Sequence, residues 1–133
     1  HWGELDYLLI DMPPGTSDVA ISIVQQIPVD KFVMVTTPSK LVSMIVGKTI
    51  NMAKQVNKPV VGLVENMAYV KCDECGHIIN IYKNDETEAT AKKYGLDVLG
   101  KLPMDPELAN ATDEGNIEDY KDNLLKDLVD RLK

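Results

Sequence analysis

The chain has 133 residues, of which 44% are hydrophobic and 26% charged, and its formal net charge is −7 at pH 7. This composition is typical of a globular domain with its own core, and it excludes the disordered, collagen-like and disulfide-scaffold classes. The acidic balance argues against a nucleic-acid binder, and no apolar stretch approaches the roughly 18 residues of a membrane helix. We therefore expect a cytoplasmic domain that binds neither nucleic acid nor membrane.

Apolar runs that end at turn residues predict strands, and apolar residues at helical spacing predict helices. In chain order the predicted elements are strand 7–10, helix 19–26, strand 32–36, helix 38–56, strand 60–64, an extended segment over 78–82, helix 85–94, strand 98–102, helix 106–111 and an amphipathic helix over 117–132. Thr37 is the expected N-cap of the second helix, with Pro38 at its first position.

Strands and helices alternate four times, which predicts an α/β fold with a parallel sheet and helices on both faces. The first three strand segments are short apolar runs of the kind that is buried on both faces of a parallel sheet. The first of them begins within a few residues of the start of the chain. We therefore expect residues 1–133 to be the C-terminal part of a larger α/β domain.

Asp11 follows the first predicted strand directly, at the place where a Walker B carboxylate stands. A carboxylate there can hold a Mg²⁺-bound water beside the phosphates of a nucleotide. The Pro-Pro-Gly turn at 13–15 would then be a stiff loop that senses the terminal phosphate. An Asp that simply ends a strand before a turn is the competing interpretation, and it is common.

Gly47, Lys48 and Thr49 resemble the end of a phosphate-binding loop, but the pattern G-x-x-x-x-G-K-[ST] requires glycine at position 42, where Val42 stands. The tripeptide also lies inside a predicted helix, whereas the loop must follow a strand and open a helix. We therefore expect no phosphate cradle within this chain.

Cys72 and Cys75 are the two cysteines of the chain, and Gly76 follows them. Two thiolates at this spacing can bind one metal centre, but a closed zinc or iron–sulfur site usually needs four ligands. His77 is a candidate third ligand, and no fourth is evident. A symmetric dimer would supply four thiolates. A thioredoxin-like redox pair and two unremarkable surface cysteines are the alternatives.

Several polar residues follow the predicted strands, and ligands of open α/β sheets bind at the carboxyl ends of strands. Asp11, Thr36, Asn66 and Asp105 all lie at such ends. We therefore expect them to share one rim of the sheet.

Taken together, these segments resemble the Mrp/ApbC family, which consists of MinD-like ATPases of the deviant P-loop class that carry iron–sulfur clusters. The resemblance lies in residues 7–18 as a switch II segment, in 35–38, in 62–69 followed by the cysteine pair, and in 99–106. It covers almost the whole chain in order. It implies a P-loop NTPase fold of the MinD type, with a CxxC hairpin inserted at about 69–82.

The resemblance also implies nucleotide-binding residues. Asp11 would act near Mg²⁺ and the attacking water, and the loop from Pro13 through Gly15 to Thr16 would couple the nucleotide state to conformation. Asn66 would contact the adenine base, with the segment from Pro103 to Asp105 closing over it. The family's phosphate loop and switch I lie upstream of the first residue of this chain, so ATP hydrolysis is expected of the intact protein.

For the cysteines, the resemblance implies that Cys72 and Cys75 bind half of a [4Fe–4S] cluster that bridges a homodimer. Thiolates are suitable ligands for such clusters. The leading interpretation is an ATP-dependent carrier that transfers the cluster to apo iron–sulfur proteins. A dimeric structural module bridged by zinc, without nucleotide chemistry, and a positioning ATPase of the MinD/ParA type are the alternatives.

Overall fold

The computed structural model describes residues 2–72, 74–120 and 125–132. Its α-helices are α1 (Asp18–Gln26), α2 (Lys40–Gln55), α3 (Glu86–Tyr94), α4 (Pro106–Asp113) and α5 (Lys126–Leu132), with a 3₁₀ turn over Ile117–Asp119. Its strands are β1 (Phe32–Thr36), β2 (Val60–Glu65), β3 (Val70–Lys71), β4 (Ile78–Ile79) and β5 (Val98–Lys101).

Strands β1, β2 and β5 form a parallel sheet in the order β1-β2-β5, and β3 and β4 form a separate antiparallel ribbon. Helix α2 connects β1 to β2, and α3 lies on the connection from β2 to β5. Because crossover connections of parallel strands are right-handed, two successive crossovers in the same direction place their helices on the same face. The contacts between α2 and α3 agree with this arrangement.

The core lies between that face of the sheet and helices α1, α2 and α3. Met34 of β1 is paired with Leu63 of β2, and both pack against Ile50 of α2, which is completely buried. On the opposite face Leu99 is also buried, and α5 contacts β5. Val35 on that face is 62% exposed, so the helices cover the second face near β5 and leave it open at β1.

Two helices show local sequence signals at work. The side chain of Ser17 accepts a hydrogen bond from the Ala20 amide at the start of α1, and Asp85 accepts one from the Glu88 amide at the start of α3. Gly95 ends α3 in the left-handed conformation, with φ of 68°, which glycine adopts at little cost. The predicted α/β fold with a parallel sheet and alternating helices is confirmed.

The prediction of a buried strand over residues 7–10 is wrong for this structure. Leu9 is 84% exposed and Leu8 is 50% exposed, and no strand is assigned there. A strand needs a neighbour for its backbone groups, and the sheet of the described chain ends at β1 without pairing to this segment. The apolar composition of this run is typical of a strand, but composition alone does not provide a neighbouring strand for it to pair with.

Three boundaries also differ from the prediction. Helix α2 begins at Lys40 with Ser39 as its N-cap, because the backbone of Ser39 is still extended, with ψ of 131°. The extended segment over 78–82 is paired only at Ile78–Ile79. The amphipathic helix over 117–132 is divided into the 3₁₀ turn and α5, and its residues 121–124 lie outside the described residues. None of the described helices has the length and apolar character needed to cross a bilayer.

Candidate functional site

The ribbon of β3 and β4 presents the cysteine pair at its tip. The Cys72 amide donates a hydrogen bond to the His77 carbonyl at 2.9 Å, and the Gly76 amide donates one to the Cys72 carbonyl at 2.8 Å. These two bonds close a tight turn, in which Gly76 has a φ of 70°. The cysteines are not joined in a disulfide, and Cys75 is exposed. The turn therefore holds two thiol-bearing residues at an accessible edge of the molecule.

The hairpin does not complete a metal site by itself. Within residues 2–72, 74–120 and 125–132, no cluster of three or more Cys, His, Asp or Glu side chains could hold a metal ion. His77 therefore does not complete a three-ligand cluster with the cysteines, although its carbonyl helps to shape the turn. Zinc and iron–sulfur centres are usually closed by four protein ligands. Among the residues that the structure describes, the two cysteines are therefore not joined by further metal ligands.

Large apolar side chains lie around the cysteine turn and are not covered. Ile78, Ile79 and Ile81 are each about half exposed, and Tyr82 is 38% exposed. Exposed apolar side chains that lie together on a surface are typical of sites that contact other proteins. The tip of the molecule therefore combines an incomplete ligand set with a surface suited to contact another protein.

The carboxyl ends of the parallel strands form a second candidate region, as the sequence predicts. The Asn66 amide donates to the Thr36 carbonyl at 2.7 Å, and the Leu102 amide donates to the Glu65 carbonyl at 2.8 Å. Beyond the strands, the Met104 amide donates to the Tyr69 carbonyl at 2.8 Å. The loops after β2 and β5 are thus joined by backbone hydrogen bonds.

Asn66 and the residue after it have an unusual local conformation at this rim. Met67 has a φ of 56°, a left-handed conformation that costs a non-glycine residue free energy. The Met67 amide donates to Oδ1 of Asn66 at 2.9 Å, which leaves the amide nitrogen of that side chain to act as a donor outside the loop. Met67 is 45% exposed. A strained residue next to an oriented polar side chain is a common feature of ligand-binding loops.

Asp105, the other predicted rim residue, has both carboxylate oxygens engaged. Oδ1 accepts from the Glu107 amide at 2.8 Å and so caps α4, while Oδ2 accepts from the Tyr120 hydroxyl at 2.7 Å. The hydrogen bond from Tyr120 lowers the pKa of Asp105, which keeps the carboxylate charged. In this geometry Asp105 fixes the loop that carries Pro103, and contact of either residue with a nucleotide stays a prediction.

The Asp11 segment is connected to α2. Gly15 contributes its carbonyl oxygen as acceptor for the Thr49 hydroxyl at 3.4 Å, and Met12 packs against the core. Asp11 and Thr16 are exposed. None of the hydrogen bonds of the described chain joins this segment to the rim of Thr36 and Asn66, so the shared rim is seen at β1, β2 and β5, and the place of Asp11 on it stays a prediction.

A charged cluster directly beneath the rim was not predicted from the sequence. Lys101 at the end of β5 forms ion pairs with Asp85, with Glu88 at 3.2 Å and with Glu65 at 3.8 Å. Glu65 is 3% exposed. Burial raises the pKa of Glu65, and the nearby Thr87 hydroxyl and Lys101 offset this only in part. The sequence does contain a signal for this cluster, because β2 and β5 each have a single charged residue, Glu65 and Lys101, at their last position.

The same cluster has the opposite effect on Asp85. Burial alone would raise the pKa of Asp85, but the hydrogen bonds from Lys101 and from the Glu88 amide outweigh it, so the pKa lies below its ordinary value. The pKa of Lys101 is raised, since its hydrogen bonds to Asp85 and Glu88 outweigh the lowering effect of burial. Asp85 thus stays ionised and links the start of α3 to the end of β5.

We expect Asp85→Ala to lower the free energy of unfolding by about 1–2 kcal/mol at neutral pH, because it removes the N-cap of α3 as well as the Lys101 contact. Asp85→Asn keeps a capping side chain and should lose less. Because the folded pKa of Asp85 is lowered, its contribution is present above the unfolded value near 3.8 and is lost as the pH falls through the folded value. Urea unfolding at several pH values measures this, and a difference between wild type and Asp85→Asn that grows on acidification would contradict it.

Comparisons with known proteins agree with this architecture. A family profile described as ParA, NUBPL iron-transfer P-loop NTPase, matches residues 1–132. The chain is 45% identical over 129 residues to an iron-sulfur cluster carrier protein of Clostridium perfringens, covering 96% of this chain and 45% of that protein. It is 43% identical over 114 residues to the iron-sulfur cluster transfer protein NUBPL of Mus musculus, covering 86% of this chain and 36% of that protein.

A solved structure is also similar. The nucleotide-binding protein of Archaeoglobus fulgidus, in complex with ADP and with cobalt found in it, superposes with a TM-score of 0.83 at 39% identity. The match covers 92% of this chain and 51% of that one. The chain therefore spans about half the length of the relatives it matches. The fold, the matched range and the degree of identity together establish that this chain belongs to the ParA/NUBPL family of iron-transfer P-loop NTPases.

Proposed function

We propose that this chain is part of an iron–sulfur cluster carrier, and that Cys72 and Cys75 of two copies hold the cluster between them. The observation that carries this proposal is the exposed cysteine turn, which offers two thiol ligands and no completed cluster of ligands within the described residues. A second copy related by a two-fold axis would bring the same pair to the same place and supply four thiolates. A [4Fe–4S] cluster needs four such ligands.

The surface around the turn supports the same arrangement. In a two-fold dimer the exposed isoleucines beside each cysteine pair would face those of the other copy, and their burial would contribute roughly 25 cal/mol for each Å² removed from water. A cluster held at the edge of the molecule by exposed thiolates is also accessible to an acceptor protein. The relatives named as cluster carrier and cluster transfer proteins support this role.

Nucleotide binding would belong to the whole protein. We infer that the rim of Asn66 and Pro103 receives the adenine base, with the free amide donor of Asn66 directed to it and Asp105 holding the loop in place. Asp11, Gly15 and Thr16 would act at the Mg²⁺ and phosphate end. No phosphate-binding loop of the pattern G-x-x-x-x-G-K-[ST] is found in the sequence, so the dependence of transfer on ATP requires residues that this chain does not carry.

A zinc-bridged dimer is the second candidate. Four thiolates in a tetrahedral arrangement bind zinc as readily as they bind an iron–sulfur cluster. The cobalt found in the similar structure from Archaeoglobus fulgidus supports a site that can hold a single metal ion.

Anaerobic reconstitution with iron and sulfide separates the two candidates. For a carrier we expect roughly four irons and four sulfides for each pair of chains, a broad absorption near about 400 nm, and a dimeric mass in solution. Incubation with an apo iron–sulfur acceptor should move that absorption to the acceptor. One zinc for each pair of chains with no colour would favour the structural module. A chain that stays monomeric while holding a complete metal centre would contradict both.

A further inference from the structure

A groove of about 420 Å³ runs between α2 and α3, and its lining residues include none of the cysteine turn and none of the rim residues Thr36, Asn66 and Asp105. It is lined on the α2 side by Lys40, Met44 and Lys48, which are spaced four residues apart and therefore share one face of that helix. On the α3 side it is lined by Lys93. Lys48 belongs to the Gly-Lys-Thr tripeptide, which lies inside α2 and does not fit the phosphate-loop pattern.

The charge of the groove is opposite to that of the chain. Three lysines line it against one acid, Glu86, although the whole chain has a net charge of −7. Among the described residues, neither Lys40 nor Lys48 has an ion-pair partner, and Lys93 lies over the Tyr94 ring at 5.4 Å. An anionic partner could pair with these lysines.

The wall of the groove contains an unsatisfied polar group. Ser43 is 8% exposed, lines the groove, and its Oγ has no hydrogen-bond partner in the described part of the chain. A buried hydroxyl without a partner costs free energy unless something else satisfies it. Beside it, Gly47 lets the Tyr94 hydroxyl approach α2 closely, because a Cβ there would lie 2.9 Å from that hydroxyl. The groove therefore offers a hydrogen-bonding group as well as positive charge.

The spacing of the lysines indicates what could occupy the groove. Lys40 and Lys48 are eight residues apart, which is about 12 Å along a helix. A protein segment with carboxylates one or two turns apart matches this spacing, whereas a small anion would have to draw the two side chains together. Met44 lies between the two lysines and is 55% exposed, so it can contact an apolar side chain of the same segment.

The groove is also well placed relative to the cysteine hairpin. In parallel crossovers the helices begin at the carboxyl ends of the strands, so Lys40 and Glu86 lie at the same end of the molecule as the rim. Helix α3 begins seven residues after β4, the second strand of the hairpin. We propose that the α2–α3 groove docks an acidic segment of a partner protein. The docking follows from the groove alone, whereas naming that partner as an acceptor of the cluster rests on the proposed function.

The test uses the metal-free chain and a synthetic helical peptide with glutamates two turns apart and a leucine between them. We expect the peptide to bind, with amide resonances of α2 and α3 shifting in NMR spectra, and the same peptide with glutamines to bind at least about tenfold more weakly. The double substitution Lys48→Glu and Lys93→Glu should weaken binding by a similar factor. Lys31→Glu, which reverses the charge of one lysine outside the groove and so makes half of that change in net charge, should leave affinity within about twofold.

Other results would overturn the docking proposal. They are the absence of binding, equal affinity for the glutamine peptide, an unchanged affinity of the double variant, or displacement of the peptide by an equal concentration of inorganic phosphate or pyrophosphate, which would assign the groove to a small anion. A thermal melt of each variant shows whether it is folded. Because no iron is used, failure here leaves the cluster experiment unaffected, and failure to bind a cluster leaves this result unaffected.

Discussion

Replacing Cys72 or Cys75 with alanine should remove bound iron almost completely and leave the protein monomeric. In the proposed two-fold dimer each copy would contribute two thiolates, so one substitution would leave only two of the four ligands, and a cluster with half of its ligands is not retained. The iron content should fall from roughly two irons for each chain to the background level. Iron and sulfide analysis after anaerobic reconstitution, together with sedimentation, measures both effects.

The fold of these variants should remain intact, because neither cysteine belongs to the core. Cys75 is exposed, and the turn is closed by backbone hydrogen bonds that alanine can also make. His77→Ala is a matched control in the same turn, since its contribution there is a carbonyl oxygen, and we expect it to retain iron. A Cys72→Ala protein that holds iron as the wild type does would remove the pair from the metal site.

The elements of the sheet and its helices could be predicted from the sequence where local signals agreed with tertiary packing. The runs over 32–36 and 60–64 are largely apolar and rich in valine, and both are strands. Helix α3 has a capping aspartate at one end and a glycine at the other, and both residues act as expected. The first apolar run was also predicted as a strand, yet it is exposed, because pairing depends on a neighbour that a local pattern does not encode.

For the candidate site, sequence spacing predicted which residues meet at strand ends but not how their side chains are used. Asn66 lies beside Thr36 at the rim, as predicted, because parallel strands end at one edge. Asp105 lies on the adjoining loop, but Tyr120 and the start of α4 occupy its carboxylate, and a partner fifteen residues away leaves no local pattern. The same limitation hid the Lys101 cluster, whose members come from β2, α3 and β5.

The candidate site residues and the ion pairs that stabilise the fold therefore lie on different parts of the connection between β2 and β5. Between β2 and β5 the chain first forms the rim at Asn66, then leaves the sheet to present the cysteines, and returns through α3. Lys101 and Asp85 fasten the returning segment to the sheet beneath the rim. Tyr69 links the rim loop to the hairpin, because it directly precedes β3 and its carbonyl accepts a hydrogen bond from the Met104 amide.

Among substitutions in the sheet that add one methyl group, we expect Gly62→Ala to lower the free energy of unfolding the most. A Cβ at this position would lie 2.6 Å from Leu99 Cγ and 2.7 Å from the Asp97 carbonyl oxygen. The carbonyl belongs to backbone that accepts the hydrogen bond of the Leu63 amide, so it cannot move away without breaking the β2–β5 pairing. We expect a loss of about 2–3 kcal/mol in the free energy of unfolding, as for other overpacked cores, measured by urea denaturation.

Gly47→Ala is the matched control for this prediction. It adds the same methyl group, but there the obstacle is the hydroxyl end of Tyr94, which can rotate away, and alanine is the better residue inside a helix. Its free energy of unfolding should stay within about 1 kcal/mol of the wild type. Equal losses in the two variants would show that the close approach of β5 to Gly62 does not hold the sheet together, and that the carboxyl edge carrying Asn66 depends on other contacts.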